Sequence, residues 1–248
     1  MFTDTHCHIS KSDYDNIEDI VNNAQKLGIV KMINNGTDFK TNEEVLDLSK
    51  KYPNIYSAIG IHPEFATNYQ LKDLVMIDEN IDKIVAIGEI GLDYHYDIVD
   101  RDAQRKLFES QLEKAEKNNL PVIVHSRNAT EDTIEIIKKH PKVKGVIHCF
   151  SGSYETAQIY IKLGFKLGIG GVLTFKNSHL YEVIEKLPLD SIVLETDSPF
   201  LTPEPLRGHK NEPSNVYYVA QKICDIKNIT MDELSKITEK TVADIFDI

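Results

Sequence analysis

Residue types that can bind divalent metal ions are grouped near the amino terminus of this chain. There Asp4, His6 and His8 alternate with Thr5 and Cys7. In an extended strand alternate residues share one face, so the two imidazoles can project together and supply half of a divalent-metal site. The same spacing also fits a polar strand end that binds no metal. A metal centre therefore needs further ligands from elsewhere in the chain.

The further candidates each follow a short apolar run that predicts a strand, and they come one to three residues after it: Glu89, His125, His148 and Asp197. A catalytic metal site combines neutral imidazoles and carboxylates, and a two-metal site also needs a bridging oxygen ligand. We expect the first histidine pair and Asp197 to hold one ion and the two later histidines to hold a second. Glu89, which follows a glycine that permits close approach, suits the bridge.

Candidate catalytic roles fall on Asp197, Glu89 and His62. A carboxylate beside a metal-activated water can accept its proton, which gives Asp197 a second role as a base. His62 lies in the segment Gly-Ile-His-Pro and is predicted either to line the site or to form a structural turn.

Substrate contacts are predicted for three more residues. Arg127 and Arg207 are candidate phosphate clamps, because a guanidinium group can pair with two oxygens at once. Each could instead be a solvated surface charge. Glu195 precedes Asp197 by two residues and so faces the same way. It can orient ligands, reach a further cation, or form a salt bridge at the rim.

The elements that must position these residues alternate between short β-branched runs and amphipathic stretches. Eight such units in 248 residues predict a (β/α)8 barrel that forms a single domain over residues 1–248. The alternative is an open doubly wound sheet, but no glycine fingerprint follows the first strand. Strands are predicted over 2–5, 84–87 and 121–124, among others, and a helix over 42–51. In a closed barrel the carboxyl ends of the strands meet on one rim, so the candidate ligands would converge.

Composition limits the classes of function. The net charge is −11, from 28 basic and 39 acidic residues, which counts against a protein that coats long nucleic acid. It leaves open an enzyme that grips a chain end in a metal-lined pocket. Three cysteines imply no disulfide framework. No apolar run reaches the length of a membrane span and no signal peptide is recognisable, so the expected location is the cytoplasm.

All of the candidate site residues except Arg207 lie in six short motifs. In chain order these are TDTHCH (3–8), GIHP (60–63), GEIGLDY (88–94), HSR (125–127), HCFSG (148–152) and ETDSPFL (195–201). Together they resemble the TatD family of metal-dependent deoxyribonucleases, which are barrels of the amidohydrolase type. The resemblance runs from Asp4 to the loop 207–213. Thr3 and Ser10 depart from the family pattern, but neither replaces a ligand.

The resemblance implies two or three divalent cations, with magnesium, manganese or zinc as candidates. Residue by residue, it matches the six candidate ligands named above to the family's metal ligands, and it points to Glu195 and His62 as site residues. It implies hydrolysis of DNA phosphodiester bonds, often as a 3′→5′ exonuclease on single-stranded ends, with Asp197 as base. The expected partner is DNA with a short footprint, with no membrane and no obligate protein partner.

Two other functions remain open from the sequence. The same barrel can hydrolyse a carbonyl substrate such as an amide, a lactone or a D-aminoacyl-tRNA ester, because fold and metal site do not fix the substrate. A protein that binds metal without turnover is the third reading. The expected open coordination position and the presence of Asp197 argue against that reading.

Overall fold

Strands and helices alternate throughout a computed structural model that describes residues 1–96 and 99–248. The strands are β1 Phe2–Cys7, β2 Ile29–Asn35, β3 Ile55–Ile59, β4 Ala86–Asp93, β5 Val122–Arg127, β6 Gly145–Ile147, β7 Phe165–Ile169 and β8 Ile192–Leu194. The α-helices are α1 Ile17–Lys26, α2 Phe39–Lys51, α3 Leu71–Glu79, α4 Arg101–Asn118, α5 Thr130–Lys139, α6 Tyr154–Lys162, α7 Leu180–Lys186, α8 Val216–Lys227 and α9 Met231–Phe246.

The strands form one sheet in chain order from β1 to β8, and every neighbouring pair is parallel. The sheet closes where β1 meets the segment after β8. There the amide of Asp197 donates to the carbonyl of His6 (2.9 Å) and the amide of His8 donates to the carbonyl of Ser198 (2.7 Å). The predicted (β/α)8 barrel is confirmed, and its closure draws the two ends of the sheet together at the predicted site.

Three strands differ from their predicted bounds in a way that matters for the site. β1 continues to Cys7, β5 continues to Arg127, and β4 runs from Ala86 to Asp93 instead of ending before Glu89. The predicted bounds stopped where the apolar runs stop. His125 and Asp93 nevertheless stay in the ladder between β4 and β5, and His125 is therefore held by strand pairing instead of by a loop.

Helix α2 begins at Phe39, three residues before its predicted start. The cause is a capping box in which Asp38 accepts a hydrogen bond from the amide of Thr41 (2.8 Å) and the Thr41 hydroxyl faces back to the amide of Asp38 (2.9 Å). Two of the unpaired amides at the helix start are satisfied in this way. The amphipathic pattern alone marks only the apolar face and does not report the cap.

The interior of the barrel changes from apolar to polar along four of its strands. An apolar cluster contains Ile33, Ile123, Val146 and Val193 from four different strands. The residue two positions after each of these is polar and lies on the same face, either within the strand or just past its end. These polar residues are Asn35, His125, His148 and Glu195. Because side chains alternate along a strand, the apolar layer forms a floor directly beneath the candidate site.

Helix α9 covers the amino-terminal end of this floor. Its Val242 and Phe246 belong to the same apolar cluster, and both are buried. At the start of β1 the Thr3 hydroxyl donates to the carboxylate of Glu239 in α9 (3.0 Å), which fixes the helix against that end. Water is therefore kept from the barrel interior on the side opposite the site.

Among the described residues, no helix is both long and apolar enough to cross a membrane.

We predict that Phe246→Ala lowers the free energy of unfolding by about 3 kcal/mol, since truncating a buried phenylalanine leaves a cavity in a packed core. Equilibrium urea unfolding followed by circular dichroism measures the change. Asp244→Ala, at an exposed position on the same helix, is the control and should shift stability by less than about 0.5 kcal/mol. Equal stability of the two variants would show that α9 does not seal the barrel.

Candidate metal centre

The six predicted ligands converge on the carboxyl-terminal rim of the barrel, within strands or just after them: His6 in β1, His8 after it, Glu89 in β4, His125 in β5, His148 after β6 and Asp197 after β8. Imidazole nitrogens lie 2.9 to 3.7 Å from the carboxylate oxygens of Glu89 and Asp197 that they face. Ligands that are up to 191 residues apart in the sequence (197 − 6) therefore share one cluster. That convergence follows from barrel closure.

Glu89 lies at the centre of the cluster and is almost fully buried. Its Oε2 atom is 3.5 Å from His6 Nε2 and 3.4 Å from His8 Nε2. Its Oε1 atom is 2.9 Å from His125 Nδ1 and 3.2 Å from His148 Nε2. Each oxygen of one carboxylate thus faces a different pair of imidazoles. This is the arrangement that a carboxylate bridging two metal ions requires.

Asp197 completes the group around the first histidine pair. Its Oδ1 atom lies 3.7 Å from His6 Nε2 and 3.5 Å from His8 Nε2, and these two nitrogens are 3.0 Å apart. The residue has φ of 57°, in the left-handed region that aspartate tolerates better than most residues. The chain turns there, directly after the short strand β8.

Three of the four histidines have an oxygen atom within 3.3 Å of the ring nitrogen that faces away from the centre. His8 Nδ1 lies 2.9 Å from the carbonyl oxygen of Asn35, which can accept its proton. His125 Nε2 lies 3.2 Å from Asp93 Oδ2. Such partners fix the ring orientation and leave the other nitrogen free to bind a metal.

Glu195 supports the third of these rings, His148. Its Oε1 atom accepts a hydrogen bond from the amide of Cys149 (2.6 Å) and lies 3.3 Å from His148 Nδ1. A Cβ atom at Gly168 would lie only 2.0 Å from Glu195 Oε2, so the glycine on β7 makes the space for this carboxylate. The predicted orienting role of Glu195 fits these contacts.

Asp4 is buried beneath the first histidine pair and has a structural role. Its carboxylate accepts hydrogen bonds from the amide of His6 (3.2 Å), the amide of Thr196 (3.0 Å) and the hydroxyl of Thr196 (2.6 Å). It thereby links β1 to the segment that carries Asp197. The alternation that places Asp4 on the same face as His6 thus serves to close the barrel.

The charges of the cluster suit cation binding. Burial by itself raises the pKa of Glu89, but the surrounding imidazoles, that of His148 above all, hold it well below its usual value. Burial also raises the pKa of Asp197, and the contact with His8 together with the other imidazoles brings it below its ordinary value. Both carboxylates are therefore ionised at neutral pH and present anionic oxygens.

The histidines respond to these carboxylates in turn. Burial lowers the pKa of His8, but Asp197 and Glu89 outweigh it and raise the pKa to about 10. For His125 and His148 burial again lowers the pKa, and neighbouring carboxylates raise it above the ordinary value. Neighbouring carboxylates therefore favour the protonated form of all three imidazoles.

Divalent cations fit this donor set. Imidazole nitrogen and carboxylate oxygen are ligands that zinc, manganese and related ions share. Some buried polar atoms lack hydrogen-bond partners within the described part of the chain, among them His6 Nδ1 and Glu195 Oε2. The His6 and His148 rings also stack with centroids 3.8 Å apart. Burying so many polar groups in close contact costs free energy that coordination of cations would offset.

His62 approaches the centre from a different direction and in a different chemical state. Its Nδ1 accepts a hydrogen bond from the amide of Glu64 (3.3 Å), which assigns the ring proton to Nε2. That Nε2 lies 3.7 Å from Glu89 Oε1. Burial lowers the pKa of His62 to about 4, so the ring is neutral. It presents an N–H donor to the site, whereas the candidate ligand histidines would bind a cation through a deprotonated nitrogen.

The two predicted phosphate clamps differ in their surroundings. Arg127 is exposed at the end of β5, 3.9 Å from Asp93 Oδ2 and so beside the His125 side of the centre. Arg207 donates to the carbonyl of Thr202 (2.8 Å), and its guanidinium lies 4.0 Å from the ring centroid of Phe175. These two contacts join Arg207 to Thr202 and Phe175 and to none of the six ligands. Both substrate roles stay predictions.

Sequence reasoning missed Asp93 and the carbonyl of Asn35. A signal for Asp93 was present, because Glu89, Gly91 and Asp93 alternate along one strand. A Cβ atom at Gly91 would lie 2.0 Å from the carbonyl oxygen of His125, so glycine permits the close pairing that brings Asp93 beside that histidine. The Asn35 contact comes from the backbone, and no residue type announces it.

We predict that metal binding releases protons and tightens as the pH rises. Because the pKa of His8 is raised to about 10, this imidazole is protonated at neutral pH without metal, and the raised pKa values of His125 and His148 favour their protonated forms as well. A ligating nitrogen must lose its proton before it binds a metal. Calorimetric titration of metal-free protein with manganese, in two buffers of different ionisation enthalpy at one pH, counts the protons released.

The control for this titration is His179→Gln, at a histidine that is exposed before α7. It should release as many protons as the wild type. Equal heats in both buffers for the wild type would contradict the protonation states assigned to the centre.

Comparison with known proteins gives a consistent result along the whole chain. Residues 3–247 match the family model described as TatD related DNase. The uncharacterized metal-dependent hydrolase YabD of Bacillus subtilis is 41% identical over 254 residues, and the match covers 100% of both proteins.

Solved structures agree with this match. YJJV, a TatD homolog from Escherichia coli K12, has a TM-score of 0.93 and 32% identity, covering 100% of this chain and 98% of that chain. A hydrolase of the TatD family from Entamoeba histolytica has a TM-score of 0.88 at 23% identity, covering 99% of this chain and 97% of that one, and shows the shared fold alone. The sequence and structural matches lead to one conclusion: this chain belongs to the TatD related DNase family.

Proposed function

We propose that this protein is a divalent-metal-dependent hydrolase that cleaves phosphodiester bonds of DNA, as a 3′→5′ exonuclease on single-stranded ends. The observation that carries the proposal is the position of Glu89, whose two oxygens face two separate imidazole pairs. Two-ion sites of this kind recur in nucleases and phosphatases. The family name supports nucleic acid as the substrate.

Divalent ions held by these ligands would lower the pKa of a water and neutralise the charge of the phosphate. Asp197 is then placed to accept the proton of the attacking water, because its carboxylate is ionised and borders the first histidine pair. The amide of Asp197 donates to the carbonyl of His6 (2.9 Å), which attaches the residue to β1 in that position.

His62 and Arg127 act on the substrate. The Nε2–H of His62 is directed at the Glu89 side of the centre, where it can donate to a phosphate oxygen. A neutral donor with a lowered pKa does not repel the cations beside it. Arg127 is exposed beside the same side of the centre and can pair with a second oxygen. Together they orient the phosphate relative to Asp197.

The surface charge supports a short DNA footprint. A net charge of −11 gives little general attraction for a long polyanion. Binding then depends on the few residues near the metal centre, as expected for an enzyme that holds a chain end.

We predict that Asp197→Asn lowers turnover of a single-stranded oligonucleotide by at least about 100-fold, since it removes the proton acceptor. Asparagine also tolerates the left-handed φ at this position, so the fold should persist. The assay follows a 5′-labelled oligonucleotide with magnesium or manganese, with and without EDTA. A wild-type ladder that shortens one nucleotide at a time and disappears with EDTA is expected.

Asp190→Asn is the matched control, because Asp190 is exposed at the opposite end of β8. It should digest like the wild type. Wild-type activity in Asp197→Asn would remove Asp197 from the mechanism. Failure of the wild type on DNA with every metal, together with hydrolysis of amide, lactone or aminoacyl-ester substrates, would replace the proposed reaction with carbonyl hydrolysis.

A further inference from the structure

Phe200 places an exposed apolar ring at the edge of the candidate metal centre. It is 61% exposed, although burying a phenylalanine is normally favourable. The other strongly exposed large apolar side chains of the described chain lie mostly on or next to outer helices or at the terminus: Met1, Leu27, Leu71, Val75, Ile159 and Tyr181. Tyr96, after β4, is the other aromatic of this set that follows a barrel strand. Its exposed ring at the rim is therefore available to pack against a bound ligand.

The backbone that carries this ring is held firmly. The amide of Phe200 donates to the carbonyl of Asp197 (2.8 Å), and its carbonyl accepts from Asn211 Nδ2 (2.6 Å). Asn211 is fully buried and also donates to the carbonyl of Thr196 (2.9 Å). The ring is thus attached to the turn that carries the proposed base, and little entropy remains to be lost when a ligand packs on it.

The ring lies directly beside the first histidine pair. Its centroid is 6.5 Å from that of His8, and the two planes are inclined at 63°. A nucleotide whose phosphate sits at the metal centre therefore has the ring within reach of its base. The phosphate itself would interact with charged groups and does not need an aromatic ring.

We propose that Phe200 is a stacking platform for the nucleobase next to the scissile phosphate, an inference that rests on the proposed nuclease function. Every base offers an aromatic face, so stacking on a side chain binds single strands with little regard to sequence. This mode of binding also suits a chain of net charge −11, which gains little from general attraction to phosphates. Phe200 thus supplies affinity that the surface charge does not.

The test compares Phe200→Ala and Phe200→Tyr with the wild type on oligonucleotides that carry a normal or an abasic residue on either side of the scissile bond. The wild type should favour the normal over the abasic residue at one of these positions by about 10-fold in kcat/KM, mainly through KM. Phe200→Ala should lose that preference, and Phe200→Tyr should keep it. A purely structural role would slow normal and abasic substrates alike.

Tyr181→Ala removes a comparably exposed ring from α7 and should behave as the wild type. If Phe200→Ala keeps the full preference at both positions, or the wild type has none, the stacking inference fails while the nuclease stands. If the wild type digests no DNA, the proposed function fails and the inference fails with it.

Discussion

One buried carboxylate organises this molecule. Glu89 lies inside the barrel among five imidazoles, and a carboxylate in a protein interior is stable only where opposite charges or strong donors surround it. Its two oxygens face two different pairs of the four candidate ligand histidines. The imidazole nitrogens and carboxylate oxygens around it are close enough together to bind cations.

The barrel meets this requirement by separating its interior into an apolar floor and a polar rim. On four strands an apolar residue of the floor precedes a polar residue of the rim by two positions, so the period of the strand itself builds both layers. The buried Asp4 interrupts the floor and accepts hydrogen bonds from Thr196, which holds β1 against the segment after β8. Closure of the sheet and assembly of the candidate centre therefore depend on the same contacts.

The sequence predicted the fold and the grouping of the candidate ligands well, because both follow from strand periodicity and from where parallel strands end in a barrel. It predicted the limits of β1, β4 and β5 poorly. Polar residues at a barrel rim stay in the hydrogen-bonded ladder when their side chains have partners inside, and such partners come from distant parts of the chain.

Contacts that need three dimensions were also beyond the sequence. The residue type of Phe200 does not predict that its apolar ring is exposed beside His8. The support of His8 by the carbonyl of Asn35 involves no side-chain chemistry. Arg207 is predicted from the sequence to bind a phosphate, but its guanidinium packs on Phe175 and donates to the carbonyl of Thr202.

The most direct test of the account is a crystal structure of the manganese-loaded protein, with the ions located by anomalous scattering. We expect two ions about 3.5–4 Å apart, each bonded to one oxygen of Glu89, with one pair of histidines on each ion. A single ion, or two ions that share no oxygen ligand from Glu89, would contradict the central role given to this carboxylate.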